Sequence, residues 1–176
     1  MNPEASRQTR EFVDEVARSL SSNASRASLE QLAAELAKIA RSLDLSMYRR
    51  AGPGEELLYS LAESQNGPSL YLVSDGTGTT SPPHEHLTWA IIVGLSGVEL
   101  NTFYTASSIQ SRVATRLSEL RLGTSEVAVM EPSAIHSTKV VGNVPTCHLH
   151  LYGKPLHSLP EFQSRVYSID EPPSQQ

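Results

Sequence analysis

The sequence predicts a mainly β domain, a sandwich or barrel of short strands, behind a helical N-terminal segment. Three observations carry this. After the turn AGPG at 51–54 the chain breaks into short β-rich runs punctuated by Gly, Pro, Asn and Ser. Before that turn, apolar residues recur at three- and four-residue spacing. The length, 176 residues and 19.2 kDa, suits one domain with a real core. A single domain is therefore expected over 1–176, with a helical segment at 1–46, a β-barrel at 47–168 and a solvated, flexible tail at 169–176.

The first helix is expected to start with Asn2 as N-cap, Pro3 at the first helical position and Glu4 in the first turn. Its apolar face is Phe12, Val13, Val16 and Leu20. A Ser/Asn-rich break at 21–28 leads to a second helix, where Ser28 and Gln31 read as a capping box and Leu29, Leu32, Leu36, Ile39 and Leu43 form a core-facing stripe. The strands then follow as ELLYSLA, SLYLVSD, LTWAIIVGL, VELNTFYTA, RVATRLSEL, EVAVM, TCHLHLY and SRVYSI. RVATRLSEL fits helical periodicity equally well. Asn66-Gly67 is expected to turn a hairpin between the first two strands.

Composition excludes several classes of function. A net charge of -5 and a pI near 5.7, with no basic cluster beyond Arg49 and Arg50, leave no surface for a phosphate backbone, so no nucleic-acid partner is expected. The longest strongly apolar run, WAIIVGL, is far shorter than the roughly 20 residues of a membrane span. The first residues show no apolar signal-peptide core, so a cytoplasmic protein without a membrane partner is expected, as a monomer or a homodimer. One cysteine, Cys147, allows neither an intrachain disulfide nor a thiolate cage, so a metal would have to be held by histidines and carboxylates. Cys147 reads as a small buried residue, because its neighbour His148 points to the opposite strand face and no Cys–His dyad can form.

The six histidines are the informative residues. In SPPHEH, His84 and His86 lie two apart, and on a strand they project from one face and can converge on one ion. Candidates for a third ligand are His136, His148, His150 and His157. In TCHLHLY the alternation puts His148, His150 and Tyr152 on one strand face and Leu149 and Leu151 on the other. That polar face reads either as the solvent side of an edge strand or as a proton-handling surface beside a site.

Gly78 stands six residues before His84 and Gly97 eleven after His86. This resembles the first motif of the cupin superfamily: a glycine, five residues, HxH, three or four residues, an acid, six residues and a glycine. The resemblance implies a double-stranded β-helix, or jelly-roll, barrel. Where the acid belongs, this chain has Ala90, so a site of three neutral imidazoles is implied. Pro132 followed by His136 resembles the start of the second cupin motif and makes His136 the implied third ligand.

Together these features resemble the thiol dioxygenase branch of the cupins, the cysteine and 3-mercaptopropionate dioxygenases. There an HxH pair without the glutamate is followed about fifty residues later by a third His, and then by a strand Ser-x-His-x-Tyr, here His148-Leu149-His150-Leu151-Tyr152. The similarity extends over roughly residues 45–160. It implies an enzyme that binds Fe(II) through His84, His86 and His136 and adds O2 to the sulfur of a small thiol, giving a sulfinate. Tyr152 would donate a hydrogen bond to the reacting oxygen and His150 would orient Tyr152. His148 would contact substrate, and Trp89 would pack beside the HxH segment, either as a core aromatic or against substrate.

Cysteine dioxygenase holds its substrate carboxylate with an arginine two residues after a tyrosine, where this chain has Glu55 or Glu56; Arg49, Arg50 and Arg165 are the remaining candidates. Ile91 falls near the position of the cysteine that cross-links to tyrosine in the animal enzymes. The alternatives to a thiol dioxygenase are a cupin isomerase, lyase or non-thiol oxygenase, or a cupin that binds a small molecule without catalysis.

Overall fold

The computed structural model describes residues 3–20, 24–65, 67–106, 108, 111–159 and 165–169. Among the described residues, two helices, α1 (Pro3–Ser19) and α2 (Arg26–Ser42), precede eleven strands. These are β1 (Glu56–Glu63), β2 (Ser69–Asp75), β3 (His84–Glu85), β4 (Ala90–Ser96), β5 (Val98–Ala106), β6 (Val113–Leu122), β7 (Val127–Met130), β8 (Ile135–Val141), β9 (Thr146–Tyr152), β10 (Arg165–Val166) and β11 (Ser168–Ile169). They form a five-stranded sheet in the order β1-β2-β9-β4-β7 and a six-stranded sheet in the order β10-β3-β8-β5-β6-β11. From β2 to β9 the chain keeps crossing between the sheets, which is the jelly-roll route.

The crossing from β4 to β5 is made at Gly97, with φ 70°. A Cβ there would also stand 2.8 Å from Pro145 O, so both backbone conformation and space demand glycine. This explains one of the two glycines of the sequence motif.

The five-stranded sheet is buried on both faces, which is why β2 reads as an unbroken buried run. Leu70, Leu72, Ile91, Val93, Cys147, Leu149 and Leu151 pack under the helices with Val13, Val16, Leu29, Leu32 and Leu36. Leu29 and Leu36 are almost fully buried, each stabilising by about 1.5–3 kcal/mol relative to exposure. The opposite face, with Tyr71, Ala90, Ile92 and Tyr152, looks into the barrel and packs with Leu122, Ala128 and Met130.

Several local expectations change. The second helix is capped by Ser25, whose side chain accepts from Ser28 N, so Ser28 lies inside the helix and makes no capping box with Gln31. The expected cap Asn2 and the turn residue Asn66 lie outside the described residues; β1 and β2 pair antiparallel, joined through residues 64–68. The fourth strand begins at Ala90, not Leu87. RVATRLSEL is strand, β6, because its residues pair along β5 and bury Ala114 and Leu122 rather than one helical stripe. SRVYSI divides into two short strands; β11 includes Ile169, placed in the expected tail, and residues 170–176 lie outside the described residues. β8, which is not among the strands expected from sequence, is one of the two central strands of its sheet and carries His136. No described helix is long and apolar enough to cross a membrane.

Candidate metal centre

A cavity of about 200 Å³ lies between the sheets and opens to solvent. His84, His86, His136, His150 and Tyr152 line it.

His84 pairs with His136 across β3 and β8. β3 ends at Glu85, so the two histidines of HEH do not share a strand as expected. The His86 ring nevertheless lies 5.1 Å from that of His136, and just beyond it the chain turns at Leu87, a non-glycine residue in the left-handed region at φ 58°. One nitrogen from each of His84, His86 and His136 lies within 4.8 Å of the other two.

The hydrogen bonds behind the His84 and His136 rings leave their inward nitrogens as lone pairs. His84 Nδ1 donates to Pro82 O at 2.8 Å. His136 Nδ1 donates to Asn101 Oδ1 at 2.9 Å, while Asn101 Nδ2 donates to Glu99 Oε1 at 2.9 Å, which sets the orientation of the amide. His136 Nε2 then faces His86 Nε2 at 3.0 Å. Two nitrogens bound at right angles to one ion with bonds of about 2.1 Å would stand about 3.0 Å apart. The donor set fits a divalent metal.

Burial pushes the His84 pKa down, and pushes that of His136 well down, with His84, His86 and His150 adding repulsion at His136. Both rings are therefore held neutral, the form that ligates. Phe103 stacks on His136 with ring centres 6.2 Å apart and fixes the plane of the ring.

β9 supplies the polar face that the alternation predicts. His150 Nδ1 and Tyr152 Oη are 2.9 Å apart, and the Tyr152 ring lies 4.9 Å from that of His86. Burial pushes His150 well below the usual imidazole range and raises Tyr152, so at neutral pH the pair is a neutral imidazole and a phenol. The face is interior, not the solvent side of an edge strand.

Other candidate residues lie elsewhere. Trp89, expected beside HxH, packs in the apolar layer under the helices at 2 % exposure and does not line the cavity. Its indole covers Gly153, where a Cβ would come 2.5 Å from Nε1, so its place is that of a core aromatic. His148 is fully buried behind the cavity wall. His157, a candidate third ligand, is exposed and stands 3.9 Å from Glu63. Ile91 faces the helices, and its neighbour Ile92 takes the barrel side.

None of the three candidate arginines lines the cavity. Arg49 makes a bidentate pair with Glu55, at 2.7 and 2.6 Å. Arg50 donates to Ser96 Oγ at 2.8 Å. Arg165 pairs at 2.8 Å with Glu85, the acid between the two histidines, which also accepts from Tyr167 Oη at 2.8 Å. That half-buried pair ties β10 to the histidine segment.

Sequence reasoning passed over Asn101, Glu99 and Asp75. The available signal was Glu99-x-Asn101, two polar side chains on one face of an otherwise ordinary strand, just as in His148-x-His150-x-Tyr152.

No family model matches the chain, and no curated protein matches it. Solved structures do. A cupin superfamily protein from Desulfitobacterium hafniense superposes with a TM-score of 0.50 at 18 % identity, covering 64 % of this chain and 90 % of that one. The fold is that of the cupins. The cupin domain of Schizosaccharomyces pombe Cnp3 matches with a TM-score of 0.50 at 12 % identity, over 64 % of this chain and 68 % of that one. A conserved Streptococcus pyogenes protein of unknown function gives 0.50 at 19 %, over 64 % and 86 %. At these identities the likeness establishes the cupin barrel, and the chemistry has to be argued from the side chains within it.

Proposed function

We propose that the protein is a mononuclear non-haem Fe(II) thiol dioxygenase that converts a small thiol and O2 to a sulfinate. The observation that carries this reading is a triad of imidazoles, with no carboxylate among the ligands, beside the His150–Tyr152 pair on the adjoining strand face. His84, His86 and His136 would hold the iron. When bound, the ion supplies a site where a thiolate and dioxygen meet, three neutral ligands leaving its positive charge to favour the thiolate.

The reaction is R–SH + O2 → R–SO2H. Two S–O bonds form, the O–O bond breaks, sulfur loses four electrons to dioxygen, and the sulfinic acid releases its proton to water at neutral pH.

The chain's own groups position and protonate. Asn101 fixes the His136 tautomer by accepting from Nδ1. His150 Nδ1–H donates to Tyr152 Oη, which leaves the phenol O–H free to donate into the cavity toward the reacting oxygen. The raised pKa of Tyr152 keeps that proton in place, so the phenol acts as a hydrogen-bond donor and not as a phenolate ligand.

The test is oxygen uptake by anaerobically purified, Fe(II)-loaded protein against a panel of small thiols, with sulfinate measured by mass spectrometry. One O2 consumed per sulfinate formed is expected. Iron near one per chain with no thiol consumed would overturn the thiol reading and leave the metal centre standing.

A further inference from the structure

Behind the metal ligands, on the face of the six-stranded sheet away from the cavity, lies a second, small core. Strand alternation places it there. Glu85 alternates with His84, Ile135 with His136 and Tyr104 with Phe103, so each side chain at the site has a neighbour facing the opposite way. Glu85, Ile135 and Tyr104 do not line the cavity. Ile135 packs with Ala114 of β6 and with Tyr167, the residue between β10 and β11, and Tyr104 and Ala106 pack against them.

Tyr167 closes the sheet. β10 and β11 are the two edges of that sheet, with β3, β8, β5 and β6 between them. Five strand spacings of about 4.8 Å make about 24 Å in a flat sheet, yet Val166 and Ser168, two residues apart, span at most about 7 Å. The sheet is therefore curled back on itself at this end. Backbone hydrogen bonds hold both sides of the seam: Tyr167 N donates to Pro83 O at 2.8 Å, next to His84, and Ser168 N donates to Arg112 O at 2.7 Å, next to β6.

Glu85 joins this seam to the ligands. β3 has two residues and, among the described residues, pairs with β8 at one position, His84 against His136. Its other edge pairs with β10, Arg165 against Glu85 and Val166 against His84. Glu85 is 5 % exposed, and its Oε1 accepts from Tyr167 Oη and from Arg165 Nη1, both at 2.8 Å. A buried carboxylate is costly unless directed donors meet it, so the three side chains hold one another in fixed positions.

We propose that Glu85 is a positioning residue of the metal centre: clamped by Tyr167 and Arg165, it holds the His84–His86 segment against β8, so that retention of the ion depends on the C-terminal turn at 165–169. This rests on the histidine triad binding a metal, and not on the thiol reaction. Each imidazole nitrogen has to meet the ion at about 2.1 Å, and a ligand segment that swings away loses that distance. His136 lies on a central strand, with Asn101 and Phe103 fixing its ring. His84 and His86 lie on and just after a two-residue strand, and the clamp backs that weaker side of the triad.

The experiment follows release of Co(II) to excess chelator, by the visible absorption of the protein-bound ion, together with thermal unfolding of the metal-free form. Glu85→Gln, Tyr167→Phe and Arg165→Gln are compared with Glu55→Gln, which breaks the Arg49–Glu55 pair. The three clamp variants are expected to release Co(II) about tenfold or more faster than wild type and to shift its absorption bands, with Glu55→Gln unchanged. Glu85→Gln combined with Tyr167→Phe should release within about twofold of Glu85→Gln alone, since both act through one contact. Release within about twofold of wild type in Glu85→Gln and Tyr167→Phe, with only the melting temperature lowered, would assign the clamp to stability alone and overturn the inference. If Glu85→Gln does not fold, Tyr167→Phe decides, because it removes one oxygen and keeps the ring. Wild-type protein that takes up no Co(II) would overturn the metal reading and this inference with it. Faster release from the clamp variants, with no thiol consumed by the Fe(II) form, would sustain the inference and defeat only the thiol reading.

Discussion

His86 and His136 bring two ring nitrogens to 3.0 Å, whereas His148 and Glu99 stop at 3.8 Å. Both clusters line or back one cavity, and burial drives the shifted groups of both toward their neutral forms. The consequences differ. A neutral imidazole is already the ligand a metal needs, so burial prepares the first cluster. In the second cluster burial instead raises the carboxyls of Asp75 and Glu99, so they hold their protons far above the usual carboxylate range. The histidine triad and the Asp75–Glu99–His148 cluster therefore sit in one barrel, with Asn101 between His136 and Glu99.

The largest test of this comparison removes a ligand. His136→Ala should lower the iron content of the purified protein by at least about tenfold and abolish O2 uptake, whereas His148→Ala should leave iron near wild type. Metal analysis of both variants checks it, and a reversal would exchange the roles of the two clusters. Next, Tyr152→Phe should keep its iron and lose about 10²-fold in kcat, because only the phenol O–H is removed. Steady-state O2 consumption with metal analysis of the same sample measures this.

Asn101→Ala cuts the link between the clusters. It should weaken iron affinity about 10- to 100-fold, since the His136 tautomer loses its partner, and competition with a chelator gives the value.

The smallest effect is on stability against pH. Glu99 and Asp75 have raised native pKa values, so the native state holds protons that the unfolded chain has released, and their contribution is lost as pH rises toward about 8. His148, lowered to about 4, acts in the opposite sense and contributes stability that grows between about pH 4 and the ordinary imidazole range. His84, His136 and His150 are lowered by burial too and act in the same sense as His148, so the carboxyl effect stands alone only from about pH 7.5 upward. Metal-free protein should therefore melt lower by about a few degrees at about pH 8.5 than at about pH 7.5, and Glu99→Gln should flatten that slope. Differential scanning fluorimetry in matched buffers reads it directly.

Much of the fold was legible because period-2 runs and turn residues are local signals. VELNTFYTA and TCHLHLY coincide with β5 and β9 to the residue. The failures share a cause. Ser28 carried a capping-box pattern, yet the chain placed Ser25 at the helix start, and either serine satisfies the local rule. β8 escaped because IHSTKVV has little alternation of its own and is a strand through its pairing with β5 and β3. His84 and His86 converge, as their spacing suggested, although β3 ends at Glu85 and the two do not share a strand face.

By itself the sequence determined which residues were available: six histidines, one cysteine, an HxH between two glycines, and a strand whose alternate positions are His, His and Tyr. Those are properties of composition and short spacing, and they survive without knowledge of the rest of the chain. Only the tertiary structure decided that Glu99 and Asp75, from strands in opposite sheets, meet His148, and that Arg49, Arg50 and Arg165 are turned away to other partners. The physical reason is that charge, desolvation and donor geometry act through space over a few ångströms, while Asp75, Glu99 and His148 lie 24 to 73 residues apart along the chain.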